Sequence, residues 1–197
     1  MWIQPGPLQG QHVSLEPLTE QHIEPLSAAL RDGESWKLWY AFVPTPDELV
    51  LYVQQAVQGA ERGEQAFVVK LADTGQVVGT TRFYQVDAAN KRALIGYTWY
   101  AESVRRTAVN TETKYLMLRH LFEQCGAIAA EFRTHFFNQT SRNAIERLGA
   151  RQDGILRNHM IMKDGSYRDT VVYSIIASEW PAVRTNLLFK LSQHHAR

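Results

Sequence analysis

The chain has 197 residues, 45% of them hydrophobic and 21% charged, with a formal net charge of +1. Length and composition fit one soluble domain over 1–197 with a sizeable core, and the near-zero charge gives no electrostatic reason to expect nucleic acid or an anionic membrane as partner. The single cysteine, Cys125, excludes an internal disulfide framework and any all-cysteine metal site.

Met1 to Gly10 carries Pro5, Gly6 and Pro7 and no long apolar run, so nothing there reads as a signal peptide. No stretch reaches the roughly 20 apolar residues of a membrane helix, and the default compartment is the cytoplasm. His12 to Glu16 alternates polar and apolar side chains and predicts a first strand. Thr19 is a fair N-cap for a helix to about Leu30, closed by Gly33. An aromatic cluster follows: Trp36, Trp39, Tyr40 and Phe42. Thr45 caps a further helix, about Pro46 to Glu61, with Leu49, Val50, Val53 and Val57 on one face.

Gln65–Leu71, Val77–Val86 and Arg92–Tyr100 are β-type runs joined by short polar turns, which makes an antiparallel meander. After the third run come Arg105, Arg106 and the polar turn Thr107-Ala108-Val109-Asn110-Thr111. A helix patterned by Tyr115, Leu116, Leu118, Leu121 and Phe122 follows. A strand, a basic loop and a helix start present free backbone N–H groups, a positive dipole end and guanidinium groups to one anion. A crossover with merely solvated arginines fits the same residues. Ile128–Phe136 is a strand behind a crossover helix, so it runs parallel to Arg92–Tyr100. Asn138–Leu148 is a helix with Gly149 at its C-cap. Ala150–Met162 and Tyr167–Ala177 are the last two strands, and a final helix starts near Trp180. His194-His195 reads as a tail pair, not as metal ligands.

This order of elements resembles the GNAT fold of acyl-CoA-dependent N-acyltransferases over essentially the whole chain, and within it the RimJ/RimL branch. The similarity rests on HVSLEPLTEQHIEPL, IGYTWY, RRTAVNTETKYLMLRHLFE, NQTSRNAIERLGA and GILRNHMIMKDGSYRDTVVYSIIASEW. The resemblance implies an α+β fold: a mixed, mostly antiparallel seven-stranded sheet with a central parallel strand pair and flanking helices. It implies an acetyl-CoA-dependent N-acetyltransferase acting on a primary amine, either a protein N-terminus or a small molecule, by direct attack in a ternary complex. Acetyl-CoA is then a co-substrate and no metal is needed. One departure stands out. Where the superfamily's pyrophosphate loop carries an Arg or Gln and then two glycines, or a glycine and an alanine, this chain has Arg105, Ala108 and Asn110, in a glycine-free Thr-x-x-Asn-Thr-Glu pattern. Asn110 tolerates left-handed angles and its amide can bond a phosphate oxygen. A non-catalytic acyl-CoA-binding sensor or assembly module is the rival reading.

The resemblance also implies the site. Arg105, Arg106, Thr107, Ala108, Val109, Asn110 and Thr111 would hold the diphosphate. Tyr97, Thr98 and Trp99 would line the cofactor arm, with a backbone N–H near Thr98–Trp99 facing the thioester carbonyl. Asn138 would hold a pantetheine amide, and Ser141 would protonate the leaving sulfur. As plain residues, Asn138 also fits a helix N-cap and Ser141 a solvated first-turn position. Many relatives have a glutamate where this chain has Ala93-Leu94. His135, His159 and Asp169 are candidate bases, with His159 and Asp169 preferred; a water relay without a dedicated base fits equally. Trp36, Trp39 and Tyr40 suit the lip of an acceptor pocket, and equally the ordinary core packing of a short helix for at least one tryptophan; exposed aromatics permit a homodimer.

Overall fold

The computed structural model describes residues 1–4 and 6–193, so the His194-His195 pair lies outside the described residues. Among the described residues eight strands form one sheet in the order β1-β2-β3-β4-β5-β6-β8-β7. They are β1 Leu8–Gln9, β2 Val13–Pro17, β3 Gln65–Leu71, β4 Val77–Asp87, β5 Arg92–Tyr100, β6 Ala129–His135, β7 Arg151–Ile161 and β8 Tyr167–Ile176. The helices are α1 Ile23–Arg31, α2 Leu49–Gln58, α3 Ala108–Arg119, α4 Gln139–Glu146 and α5 Trp180–Ser192. All neighbouring strands are antiparallel except β5 and β6, which run parallel. The sheet thus has eight strands where seven are expected. The extra one, β1, is a two-residue ladder of Leu8 and Gln9 against Leu15 and Ser14, too short to leave a periodic signal.

The turn chemistry that the sequence offers is used. Thr19 and Thr45 each form a capping box, with His22 and Glu48 respectively as the returning side chain. The helices they start open as 3₁₀ turns, at Glu20–His22 and Pro46–Glu48, before becoming α-helical. Val50, expected on the inward face of α2, is 48% exposed, while Leu49, Val53 and Ala56 are buried.

Two apolar cores flank the sheet. On one face α1 and α2 cover Ala66, Val68 and Trp99. On the other, α3 and α5 pack over Phe67, Phe83, Ile95, Phe132 and Tyr173. In α3 even Glu112 and Lys114 are buried, at 5% and 6% exposed. The helix is therefore not the one-sided stripe its leucines suggest, because the sheet and α5 enclose it. It ends in a π-type turn, His120–Gln124. No helix among the described residues is long and apolar enough to cross a membrane.

Candidate functional site

The parallel strands β5 and β6 pair only at Arg92↔Ala129, Ala93↔Ala130 and Leu94↔Glu131. Past that point β5 continues to Tyr100 and β6 to His135 with no further paired positions. The strands diverge, which leaves a row of backbone N–H and C=O groups on β5 with no ladder partner on that side.

The divergence coincides with a bulge. Thr80 pairs with Trp99 and Arg82 with Gly96, so Tyr97 and Thr98 together oppose Thr81 alone. Tyr97 takes φ +51°, an uncommon angle for a bulky residue. Groups on both faces hold the bulge. On the α2 side the Tyr52 hydroxyl donates to the Tyr97 carbonyl at 3.1 Å. On the α3 side Lys114 Nζ donates to Thr98 Oγ1 at 2.6 Å and to Thr81 Oγ1 at 3.2 Å. The Trp99 side chain is buried in the α1–α2 core, so only its backbone can face the gap.

Beyond β5 the chain turns into α3. Thr107 is the N-cap: its hydroxyl accepts from Val109 N at 3.3 Å and donates to the Val104 carbonyl at 2.6 Å. Arg105 is ion-paired with Glu102, and Arg106 sits at φ +62°, the left-handed region that glycine fills in other loops. Both arginines are exposed. Ala108, Val109 and Thr111 turn their side chains inward, and Thr111 Oγ1 accepts from Arg147 Nη2 at 3.0 Å. These three can meet a ligand only through their amides. Asn110 is half-buried. A cavity of about 480 Å³ lies against Thr107, Ala108 and Val109, walled on the other side by Gln11, His12 and Asp73. Glu112 fixes this helix start: its carboxylate accepts from the backbone N–H groups of Gln11, His12 and Val13 at 3.0, 2.6 and 2.8 Å.

The second helix start follows β6 directly. Asn138 Oδ1 accepts from Ser141 N at 2.9 Å, so the amide oxygen caps α4. The Ser141 hydroxyl makes no hydrogen bond among the described residues. Arg142 Nε donates to the Tyr173 hydroxyl at 3.1 Å, and that hydroxyl donates to Glu146 at 2.9 Å, which pins α4 to β8.

Of the candidate bases, His159 is exposed on β7, with Nδ1 3.1 Å from Thr170 Oγ1 in a hydrogen bond. Asp169 accepts from Arg157 Nε at 2.5 Å and from Asn158 N at 2.8 Å, and these bonds hold its carboxyl below the usual range. No hydrogen bond joins any two of Ser141, His159 and Asp169. His135 is 2% exposed. Its Nδ1 accepts from Phe137 N at 3.1 Å, and Trp39 stands edge-on at 4.9 Å. Burial, helped by the nearby Arg168 charge, lowers its pKa. A second cavity, about 420 Å³, lies between His135 and Asp169 with Phe137 and Tyr167 on its walls. Among the described residues no group of three His, Cys, Asp or Glu side chains is arranged to hold a metal.

Arg82, Lys114 and Arg168 are also buried here, and nothing in the sequence marks them. Lone charged residues within strand or helix runs give no signal that separates them from a solvated face.

A family model described as an acetyltransferase (GNAT) domain matches residues 12–151. A GCN5-related N-acetyltransferase from Brucella melitensis, known as a crystal structure, is 31% identical with a TM-score of 0.86, covering 95% of this chain and 86% of that one. The ribosomal-protein-serine acetyltransferase of Escherichia coli (strain K12) is 24% identical over 172 residues, 84% of this chain and 93% of its own. RimL, a ribosomal L7/L12 alpha-N-protein acetyltransferase solved in complex with coenzyme A, is similar in fold at a TM-score of 0.73 and 18% identity, over 87% of this chain and 98% of its own.

Proposed function

The chain belongs to the GNAT acetyltransferase family and is an N-acetyltransferase, and from that premise we propose that it uses acetyl-CoA to acetylate a primary amine by direct attack within a ternary complex. The observation that carries the reading is the divergence of β5 from β6 after Leu94 and Glu131, with the Tyr97–Thr98 bulge at its mouth. An unpaired strand edge suits the amides of a pantetheine arm, which would add to the sheet as a further strand does. The residues present fit the co-substrate at both ends. Arg105, Arg106 and the amides of Thr107 to Thr111 suit a diphosphate at the start of α3, and Ser141 offers an uncommitted hydroxyl one turn into α4.

In the reaction the neutral amine nitrogen attacks the thioester carbonyl carbon. A C–N bond forms, the C–S bond breaks, and the electron pair leaves on sulfur. A backbone N–H at Thr98 or Trp99 stabilises the developing oxyanion. Ser141 gives its proton to the thiolate and recovers one from solvent. The amine's proton goes to water, or to His159 or Asp169. Asp169 is the weaker base of the two, because Arg157 and Asn158 already occupy its oxygens. Ribosomal-protein acetyltransferases among the relatives support a protein N-terminus as one acceptor class, beside small amines.

Calorimetry with acetyl-CoA, together with a thiol-release assay over a panel of amines and N-terminal peptides, tests the reading. Binding with release on at least one amine supports it. The second reading, a sensor without turnover, draws on the glycine-free turn and on Ala93-Leu94 standing where a carboxylate is usual. Binding without release on any acceptor would favour it, and no binding would remove both.

A further inference from the structure

We infer that the acceptor side of this site recognises an oxyanion, a carboxylate carried close to the amine that is acetylated; the inference rests on the acetyl-transfer reading above and names its substrate class. Two buried guanidinium groups carry it. Arg82, on β4, is 6% exposed. It lies over the rings of Tyr97 and Tyr52, at 4.0 and 4.9 Å, and its Nε has no hydrogen-bond partner. Arg168, on β8, is 5% exposed. Its Nε donates to Thr170 Oγ1 at 2.9 Å and its guanidinium lies 4.7 Å from the Phe42 ring. Its two Nη groups meet no acceptor among the described residues.

Neither arginine has a carboxylate within 4.0 Å among the described residues. The acids on this side are already engaged: Glu131 by Arg92 and Arg133, and Asp169 by Arg157. Arg82 lies over the Tyr97 ring, which itself stands edge-on to Tyr84 at 4.9 Å, and the charges of Arg82, Arg133 and Arg168 all reach the Tyr84 phenol. That phenol stays neutral and supplies no counter-charge, since burial pushes its pKa up to about 12.

Buried charge without a counter-ion is costly to a fold, and aromatic faces offset only part of that cost. The arrangement is short of one anion. It flanks the place where an acceptor must sit: Arg82 stacks on Tyr97 at the centre of the bulge, and Arg168 stands on β8, the strand that pairs with β6. Planar donor forks suit a carboxylate. The anion has two natural sources, the α-carboxylate of a free amino acid and an acidic side chain just behind a peptide N-terminus.

The test uses acceptors matched except for the anion, with rates compared per neutral amine because a neighbouring carboxylate also raises the amine pKa. Thiol release from acetyl-CoA is measured for L-serine against L-serinamide, and for the peptide amides Ser-Asp-Ala-NH2 against Ser-Asn-Ala-NH2. The expected result is a kcat/KM about 10-fold higher for the acidic member of at least one pair, and the responding pair identifies the source. Arg168→Gln and Arg82→Gln should erase the preference through KM with kcat little changed. Should either glutamine variant fail to fold, as judged by near-UV circular dichroism, Arg168→Lys and Arg82→Lys replace it and should lose most of the preference, since a point charge cannot make the forked contact. Calorimetry with N-acetyl-L-serine and N-acetyl-L-serinamide reads the anion site without turnover. Binding of the acid alone, lost in the Arg168 variant, would sustain the anion site even if no amine released thiol, in which case only the acetyl-transfer reading falls. Equal rates within both pairs together with no heat from N-acetyl-L-serine would overturn the inference. So would a preference that survives in the folded Arg82 and Arg168 variants.

Discussion

Lys114 Nζ donates to the Thr98 hydroxyl at 2.6 Å from inside the core, and no carboxylate partners the amine among the described residues. Burial alone pulls its pKa from 10.5 down to about 7. Between those two values the unfolded chain holds the extra proton, so folding stability rises as pH rises across that window. Lys114→Met keeps the volume and removes the buried amine. The variant should be more stable than wild type by about 1–2 kcal/mol at pH 7, with the gain shrinking toward pH 10. Urea denaturation at pH 7, 8.5 and 10 measures it, and a variant less stable at all three values would contradict the account.

Glu112 satisfies three successive backbone donors, those of Gln11, His12 and Val13. Glu112→Ala orphans them next to the core and should cost about 3 kcal/mol or more, a fall in Tm of about 6–12 °C for a chain of this size. Gly10→Ala should also destabilise, because the new Cβ would stand 2.6 Å from the Glu112 carboxyl. Thermal unfolding followed by circular dichroism decides; a Glu112→Ala protein within a degree of wild type would show that the clamp carries no stability.

His135 is held neutral by burial and by Arg168. Its contribution is complete above the ordinary 6.5 and is lost as pH falls from there through the lowered folded value. His135→Gln lacks that loss. The stability gap between wild type and variant should therefore narrow as pH drops from 6.5 to 5, and parallel Tm profiles over that range would refute the assignment.

In the proposed reaction Ser141 and Asn138 would separate chemistry from binding. Ser141→Ala removes an uncommitted hydroxyl and should lower kcat about 100-fold while leaving acetyl-CoA affinity within about twofold. Asn138→Ala should cost about 1 kcal/mol as a lost helix cap and should also weaken acetyl-CoA binding. Steady-state kinetics paired with calorimetry read both. An intact kcat in Ser141→Ala would remove the acid assignment.

Much of the fold was legible because its punctuation is local. Thr19 and Thr45 announce their helices, the short polar turns announce the meander, and Asn138 announces α4. The order of the last strands was not legible: β8 enters beside β6 and leaves β7 at the edge, a choice made by pairing far along the chain. Lys114 and Glu112 were hidden for a related reason. A lysine or glutamate amid leucines reads as a solvent-facing position until the tertiary partner is known, and those partners are the Thr81 and Thr98 hydroxyls and three amides near residue 12. The candidate cofactor side was visible as a motif. The buried arginines Arg82 and Arg168 were not, since their burial and their aromatic neighbours exist only in the folded sheet.

Strand β7 closes the sheet with one side open to water, and its register with β8 slips between Leu156 and Met160, where Asn158 takes φ +47°. A straight, exposed ribbon carrying Ile155, Leu156 and Ile161 would be a template for cross-β stacking between molecules. The kink, together with Arg151, Asp153 and Arg157, spoils that template. A deletion that straightened this border would trade a harmless irregularity for insolubility.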